Sequence, residues 1–144
     1  MKVSTRVRYG MRAALDLAQN YGKGPLQTKV IAQHQDISVK YLEQLMGTLR
    51  SSGIARSIRG SKGGYILARP PNHIKLSEVF FAFEGTVATV ECVEREDYCS
   101  RVADCVARQI WLEVQQAIVN VLESKTLQDL VVQASEKKSA DYQI

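Results

Sequence analysis

Three cysteines, Cys92, Cys99 and Cys105, are the residues of this 144-residue chain with the clearest capacity for chemistry, and it has no others. An odd count confined to one short stretch argues against a disulfide framework and for a local thiol or metal site. Six and five residues separate them. That spacing lacks the paired CxxC knuckles of a structural zinc site, and it is too wide for the cysteine run of a bacterial ferredoxin. A loop of this length can bring three thiolates around an iron–sulfur cluster, leaving one coordination position to a ligand other than cysteine. Another metal, or three unmetallated thiols, is compatible with the same spacing. Glu91, Glu94, Glu96, Asp97 and Asp104 lie among the cysteines. Carboxylates disfavour a neighbouring thiolate, so the stretch does not look like a strongly activated nucleophile. His34 and His73 are far apart in sequence and neither neighbours a candidate nucleophile, so both read as ordinary surface or turn residues and the chain is not read as an enzyme.

The elements that must carry this stretch divide by charge. Residues 1–70 hold 12 Lys and Arg against 3 Asp and Glu, a net +9, whereas residues 71–144 hold 7 against 12, a net −5. A basic half joined to an acidic half suggests a polyanion-binding module attached to something else. With 45% hydrophobic and 24% charged residues the chain can bury a core. No apolar run approaches the roughly 18–20 residues that span a bilayer. Lys2, Arg6 and Arg8 are followed by Arg12, Asp16 and Gln19 rather than by an apolar stretch, so no secretory signal is expected and the expected location is the cytoplasm.

In the basic half, Val7, Met11, Ala14, Leu15 and Ala18 predict a helix that stops at the Gly22 to Pro25 break. Val30 to Ala32 fit a short second helix. Ser38 is a candidate N-cap for a third, whose apolar positions Val39, Leu42, Leu45, Met46 and Leu49 form one stripe before Gly53. The opposite face carries Lys40, Tyr41, Glu43, Gln44 and Arg50, the pattern of a helix-turn-helix whose second helix enters the major groove. Residues 54–58 and 65–67 then predict two strands around a turn with Arg59, Lys62, Gly63 and Gly64. This hairpin is a candidate wing, its glycines permitting close backbone approach and its cations suited to phosphates or a minor groove.

Arg69 to Asn72 marks the expected domain boundary. Beyond it, Ser77 is a candidate cap for a short helix with Val79, Phe80, Phe81 and Phe83, read as core. After the cysteine loop, Ile110, Trp111, Val114, Ile118, Val121 and Leu122 recur at helical spacing. That stripe is longer than a small domain covers easily and is read as a dimerisation helix. Residues 133–144 are polar and aperiodic, and a frayed tail is expected there. The predicted fold is mainly α with a small β-hairpin wing: residues 1–70 a winged helix-turn-helix, residues 71–132 the cysteine loop and dimerisation helices.

Three motifs carry a family likeness running from Met1 to about Val132. The opening Arg8 to Ala18, the stretch Ile37 to Leu45, and Ile58 to Tyr65 resemble the first helix, recognition helix and wing of the Rrf-type transcription regulators, the family of IscR, NsrR, RirA and CymR. The resemblance implies a winged helix-turn-helix homodimer that binds double-stranded operator DNA, with the long C-terminal helices of the two subunits crossing. It implies that Ser38, Lys40, Tyr41, Glu43 and Gln44 face bases or phosphates, with Arg59 and Gly63-Gly64 serving the wing. Gln44 can pair with adenine and Glu43 can accept from cytosine, while Lys40 and Arg50 suit phosphates.

The resemblance also favours an iron–sulfur cluster on Cys92, Cys99 and Cys105, 4Fe-4S before 2Fe-2S, as the sensor of iron, redox or nitrosative state. Two positions depart from the family pattern. Arg108 stands where IscR-like members have a histidine ligand, and Arg8 where NsrR-like members use an acidic residue, so the fourth ligand is unassigned. A clusterless thiol- or effector-responsive regulator, or a small redox protein that does not bind DNA, are the alternatives.

Overall fold

The structure, a computed structural model, describes residues 2–142. Helix α1 (Thr5–Gln19) begins where Ser4 Oγ accepts the Val7 N–H at 3.2 Å, satisfying a first-turn donor that has no partner within the helix. It ends at Asn20, whose side-chain amide donates to the Gly24 carbonyl at 2.8 Å. Helices α2 (Thr28–Gln35) and α3 (Val39–Ser51) are joined by a tight turn in which Asp36 adopts a left-handed conformation (φ 54°) and Ile37 N–H returns to the Ala32 carbonyl at 3.1 Å. Ser38 is the N-cap of α3, as its position suggested, with Oγ accepting the Tyr41 N–H at 3.1 Å.

Strands β1 (Ala55–Ile58) and β2 (Gly64–Leu67) form an antiparallel hairpin in which Ala55 faces Leu67 and Ile58 faces Gly64. The hairpin is not free-standing. Tyr65 exchanges two backbone hydrogen bonds with Leu26, at 2.8 and 2.9 Å, tying the wing to the α1–α2 connection. Gly64 permits this, because a Cβ there would collide with the Leu26 carbonyl, and a Cβ on Gly63 would collide with the Ile58 carbonyl.

Residues 69–73, which include the expected boundary at Arg69 to Asn72, form a strap. Arg69 donates to the His73 carbonyl at 2.9 Å and to Glu78 Oε1 at 2.7 Å, and Glu78 Oε2 accepts the Lys75 N–H at 2.9 Å. Helix α4 (Leu76–Glu84) follows, with Lys75 rather than Ser77 at its N-cap; Ser77 lies buried within the first turn. The core crosses residue 70 without a break: Val7, Ala14 and Leu17 of α1, Leu42, Leu45 and Leu49 of α3, and Val79, Phe80 and Phe83 of α4 belong to one buried cluster. Gly10 lies against the Phe83 ring so closely that any side chain there would strike it.

A one-turn helix α5 (Glu91–Glu94) interrupts the cysteine segment, and α6 (Val106–Glu123) and α7 (Leu127–Tyr142) complete the chain. The start of α7 is pinned to the start of α4, since Leu127 N–H reaches the Ile74 carbonyl at 3.0 Å and Leu76 N–H the Lys125 carbonyl at 2.9 Å. Residues 133–142, expected as part of a frayed tail, instead continue α7, while the tail's last two positions, 143 and 144, lie outside the described residues. The stretch is rich in Ala, Glu, Lys and Gln, good helix formers whatever their periodicity. Among the described residues, no helix is long and apolar enough to cross a membrane.

Candidate nucleic-acid interface and cysteine segment

Leu42, Leu45, Met46 and Leu49 of α3 are fully buried, which turns the opposite face outward. On that face Lys40, Glu43, Gln44 and Arg50 are exposed, and Glu43 has no ion-pair partner among the described residues. Val39, expected in the buried stripe, is instead 43% exposed. It occupies the first helical position, where the chain still turns away from the core, and it offers this surface an apolar group that could meet a thymine methyl.

Tyr41 is half-buried and held edge-on against Tyr9, with ring centres 6.1 Å apart and planes at 84°. Arg12 stacks its guanidinium 5.3 Å from the Tyr9 ring centre, so α1 and α3 share an aromatic and cationic column. Arg6 adds a second link, donating to Thr48 Oγ1 at 3.4 Å while lying 5.9 Å from the Phe83 ring centre. Sequence reading missed this bracing because Tyr9 meets Tyr41 only after folding. Arg59 and Lys62 are exposed at the hairpin tip, and Gly63 and Gly64 are half-buried beneath it.

His34 is exposed, as expected of a surface residue, but it also pairs with a buried carboxylate. Its Nδ1 lies 2.8 and 3.1 Å from the two carboxylate oxygens of Asp16, a residue only 8% exposed. A carboxylate buried to this degree requires a partner, and α2 supplies it.

The three cysteines lie on one segment between α4 and α6 but on different local structures. Cys92 sits in α5, Cys99 is exposed in the following turns, and Cys105 is the N-cap of α6. Arg108 Nε donates to the Cys92 carbonyl at 2.9 Å, joining α5 to α6, while Arg101 N–H points at Cys99 Sγ at 3.5 Å. As a donor set, three soft thiolates suit an iron–sulfur cluster. As placed, they do not enclose one: among the described residues no three His, Cys, Asp or Glu side chains are positioned to hold a metal.

On α6, no residue is buried. Ile110, Trp111 and Val121 are 51%, 40% and 59% exposed, while Val114, Ile118 and Leu122 are half-buried and line an apolar groove of about 570 Å³ shared with Phe80 and Val87. The expected stripe is a real helical surface that its own chain leaves largely open.

A helix-turn-helix with an outward polar face, a glycine-tipped hairpin beside it and a long open helix behind it define a winged helix-turn-helix protein. Residues 3–133 match the Rrf2 family, described as iron-dependent transcriptional regulators. The chain belongs to the Rrf2 family of transcriptional regulators, and it is not an enzyme. It is 44% identical over 135 residues to protein rrf2 of Nitratidesulfovibrio vulgaris, covering 94% of this chain and 90% of that one. It is 39% identical to the HTH-type transcriptional regulator CymR of Bacillus subtilis, over 90% of this chain and 89% of CymR. The solved structure of that CymR, titled the global cysteine regulator, superposes with a TM-score of 0.79 at 36% identity, covering 92% of this chain and 98% of the other. The T. potens IscR structure gives 0.78 at 40% identity, covering 95% and 90%.

Proposed function

We propose that the protein is a cytoplasmic, homodimeric regulator that reads duplex operator DNA with α3 and the wing, and that the Cys92–Cys105 segment is its sensor. The observation that carries the DNA reading is the exposed face of α3 beside the cationic hairpin tip. Ser38, Lys40, Tyr41, Glu43 and Gln44 are assigned to the major groove, and Arg50, Arg59 and Lys62 to phosphates or the minor groove. Glu43 discriminates more than it attracts, because a carboxylate facing DNA without a donor is penalised.

For the sensor, we infer that Cys92, Cys99 and Cys105 ligate an iron–sulfur cluster, 4Fe-4S before 2Fe-2S, with a fourth ligand that is neither Arg8 nor Arg108. A bound cluster would supply a centre sensitive to iron, redox or nitrosative state. The family's description as iron-dependent supports this reading. The dispersed thiols, and the similarity to a regulator titled for cysteine, favour a second one in which the thiols respond without a cluster.

Anaerobic purification separates the two. Brown protein with stoichiometric iron and sulfide, lost in Cys99→Ala, is the expected result; colourless protein with intact thiols overturns the cluster. For DNA, binding to promoter fragments should weaken steeply with salt, and Arg59→Ala should weaken it further while leaving the thermal transition unchanged. Absence of promoter binding in every sensor state overturns the α3 and wing assignment.

A further inference from the structure

We propose that Tyr9 and Arg12 of α1 are positioning residues for DNA recognition: together they hold the Tyr41 ring in the attitude in which α3 presents it to the duplex. The inference rests on the assignment of α3 to the major groove and extends it to residues of a different helix. Tyr41 is the third residue of α3, in the first turn, the part of a recognition helix that meets base edges. Its backbone is fixed there by Ser38 Oγ, which accepts its N–H at 3.1 Å. The side chain of a tyrosine still has two torsions to settle, and freezing a mobile side chain on binding costs affinity.

The fold removes that freedom before DNA arrives. Tyr9 meets Tyr41 edge to face, with ring centres 6.1 Å apart and planes at 84°, so that the positive edge of one ring faces the negative face of the other. Arg12, three residues further along α1, sets its guanidinium 5.3 Å from the centre of the Tyr9 ring. No carboxylate pairs with Arg12 among the described residues, which leaves the ring as its partner. Tyr9 and Tyr41 both pack against the core, and Gly10 lies directly on the Phe83 ring, so α1 offers a rigid base for this column. Arg6 links α1 to α3 a second time through Thr48, but it is Tyr9 that reaches the first turn of α3. Tyr41 keeps part of its surface open to solvent, so the contact contributes orientation more than burial.

The test is a double-mutant cycle on the full-length protein, read as affinity for a promoter fragment by fluorescence anisotropy at several salt concentrations. Tyr9→Leu is expected to weaken binding about three- to tenfold, the worth of one aromatic pair, with the salt dependence unchanged because no phosphate contact is lost. Tyr9→Phe, which keeps the ring, is expected to bind as wild type. In a Tyr41→Leu background, Tyr9→Leu is expected to cost nothing further, because the two residues act through one contact. Arg12→Gln alters an exposed side chain and so keeps the fold even if Tyr9→Leu does not; the same pattern with a smaller loss is expected. Unchanged binding in Tyr9→Leu, a loss that Tyr9→Phe reproduces, or a loss that persists in the Tyr41→Leu background would each overturn the proposal. So would a shallower salt dependence in Arg12→Gln, which would make Arg12 a phosphate contact in its own right. If wild type binds no promoter fragment at any salt concentration, the assignment of α3 falls and the bracing with it; every other outcome judges the bracing alone.

Discussion

Two donors converge on Glu78, the Arg69 guanidinium on one oxygen and the Lys75 backbone N–H on the other, and between them they fix the path from the wing into α4. Partial burial pushes this carboxyl upward, but the hydrogen bonds from Arg69 and Lys75 and the attraction of their charges outweigh it and hold it below the usual range. A depressed carboxyl stabilises the fold above its unfolded pKa, and the contribution is lost as pH falls through the folded value. Glu78→Gln should therefore lower the unfolding free energy at neutral pH by no more than about 1 kcal/mol, and the melting temperature with it, because the pair is partly open to solvent. The gap should close in acid. Thermal melts of both proteins across that range check it, and a gap that widened in acid would refute the assignment.

Helix α3 shows the same dependence one scale up. Its N-cap Ser38 satisfies the Tyr41 N–H and sets the first turn from which Lys40 and Tyr41 project. Ser38→Ala should cost about 1 kcal/mol in denaturant melts. It should also weaken promoter binding more than that loss of folded population explains; an unchanged affinity would show that the cap serves only the helix. This element, with α1 and the hairpin, was readable in the sequence because buried leucines at helical spacing, a serine cap and glycine stops are local signals. What escaped reading is where local signals fail. Val39 fits the apolar period but precedes the point where α3 meets the core. Ser77 resembles a cap but is drawn inside α4, because the strap from Arg69 to Glu78 starts the helix earlier at Lys75. The polar second half of α7 buries little and so shows no stripe, although its composition favours a helix. His34 reaches Asp16 across 18 residues, a contact no spacing rule reveals. The cysteines were legible as a chemical set, but their disposition was not, because α5 and the Arg108 bond to Cys92 hold them in a way spacing does not encode.

For the whole molecule, the decisive feature is a helix of 18 residues with no buried residue. Exposing Ile110, Trp111 and Val121 in one chain is unfavourable at roughly 25 cal/mol per Å² of apolar surface, and a second copy crossing this helix would cover it. The same pairing would place two basic winged units on one duplex, with the acidic cysteine segments away from the phosphates, so the charge division between the halves of the chain becomes an orientation on DNA. Trp111→Glu tests both at once. Trp111 is already solvent-exposed in the single chain, so the change leaves the monomer core intact, while in a paired helix it would bury a charge without a partner. Sedimentation equilibrium at micromolar concentration should show wild type as a dimer and the variant as a monomer. The variant should bind promoter DNA more weakly and with a shallower salt dependence, because each monomer neutralises about half as many phosphates. A wild-type monomer, or a variant that remains dimeric with its full salt slope, would place the dimer contact elsewhere and leave the open face of α6 to another partner.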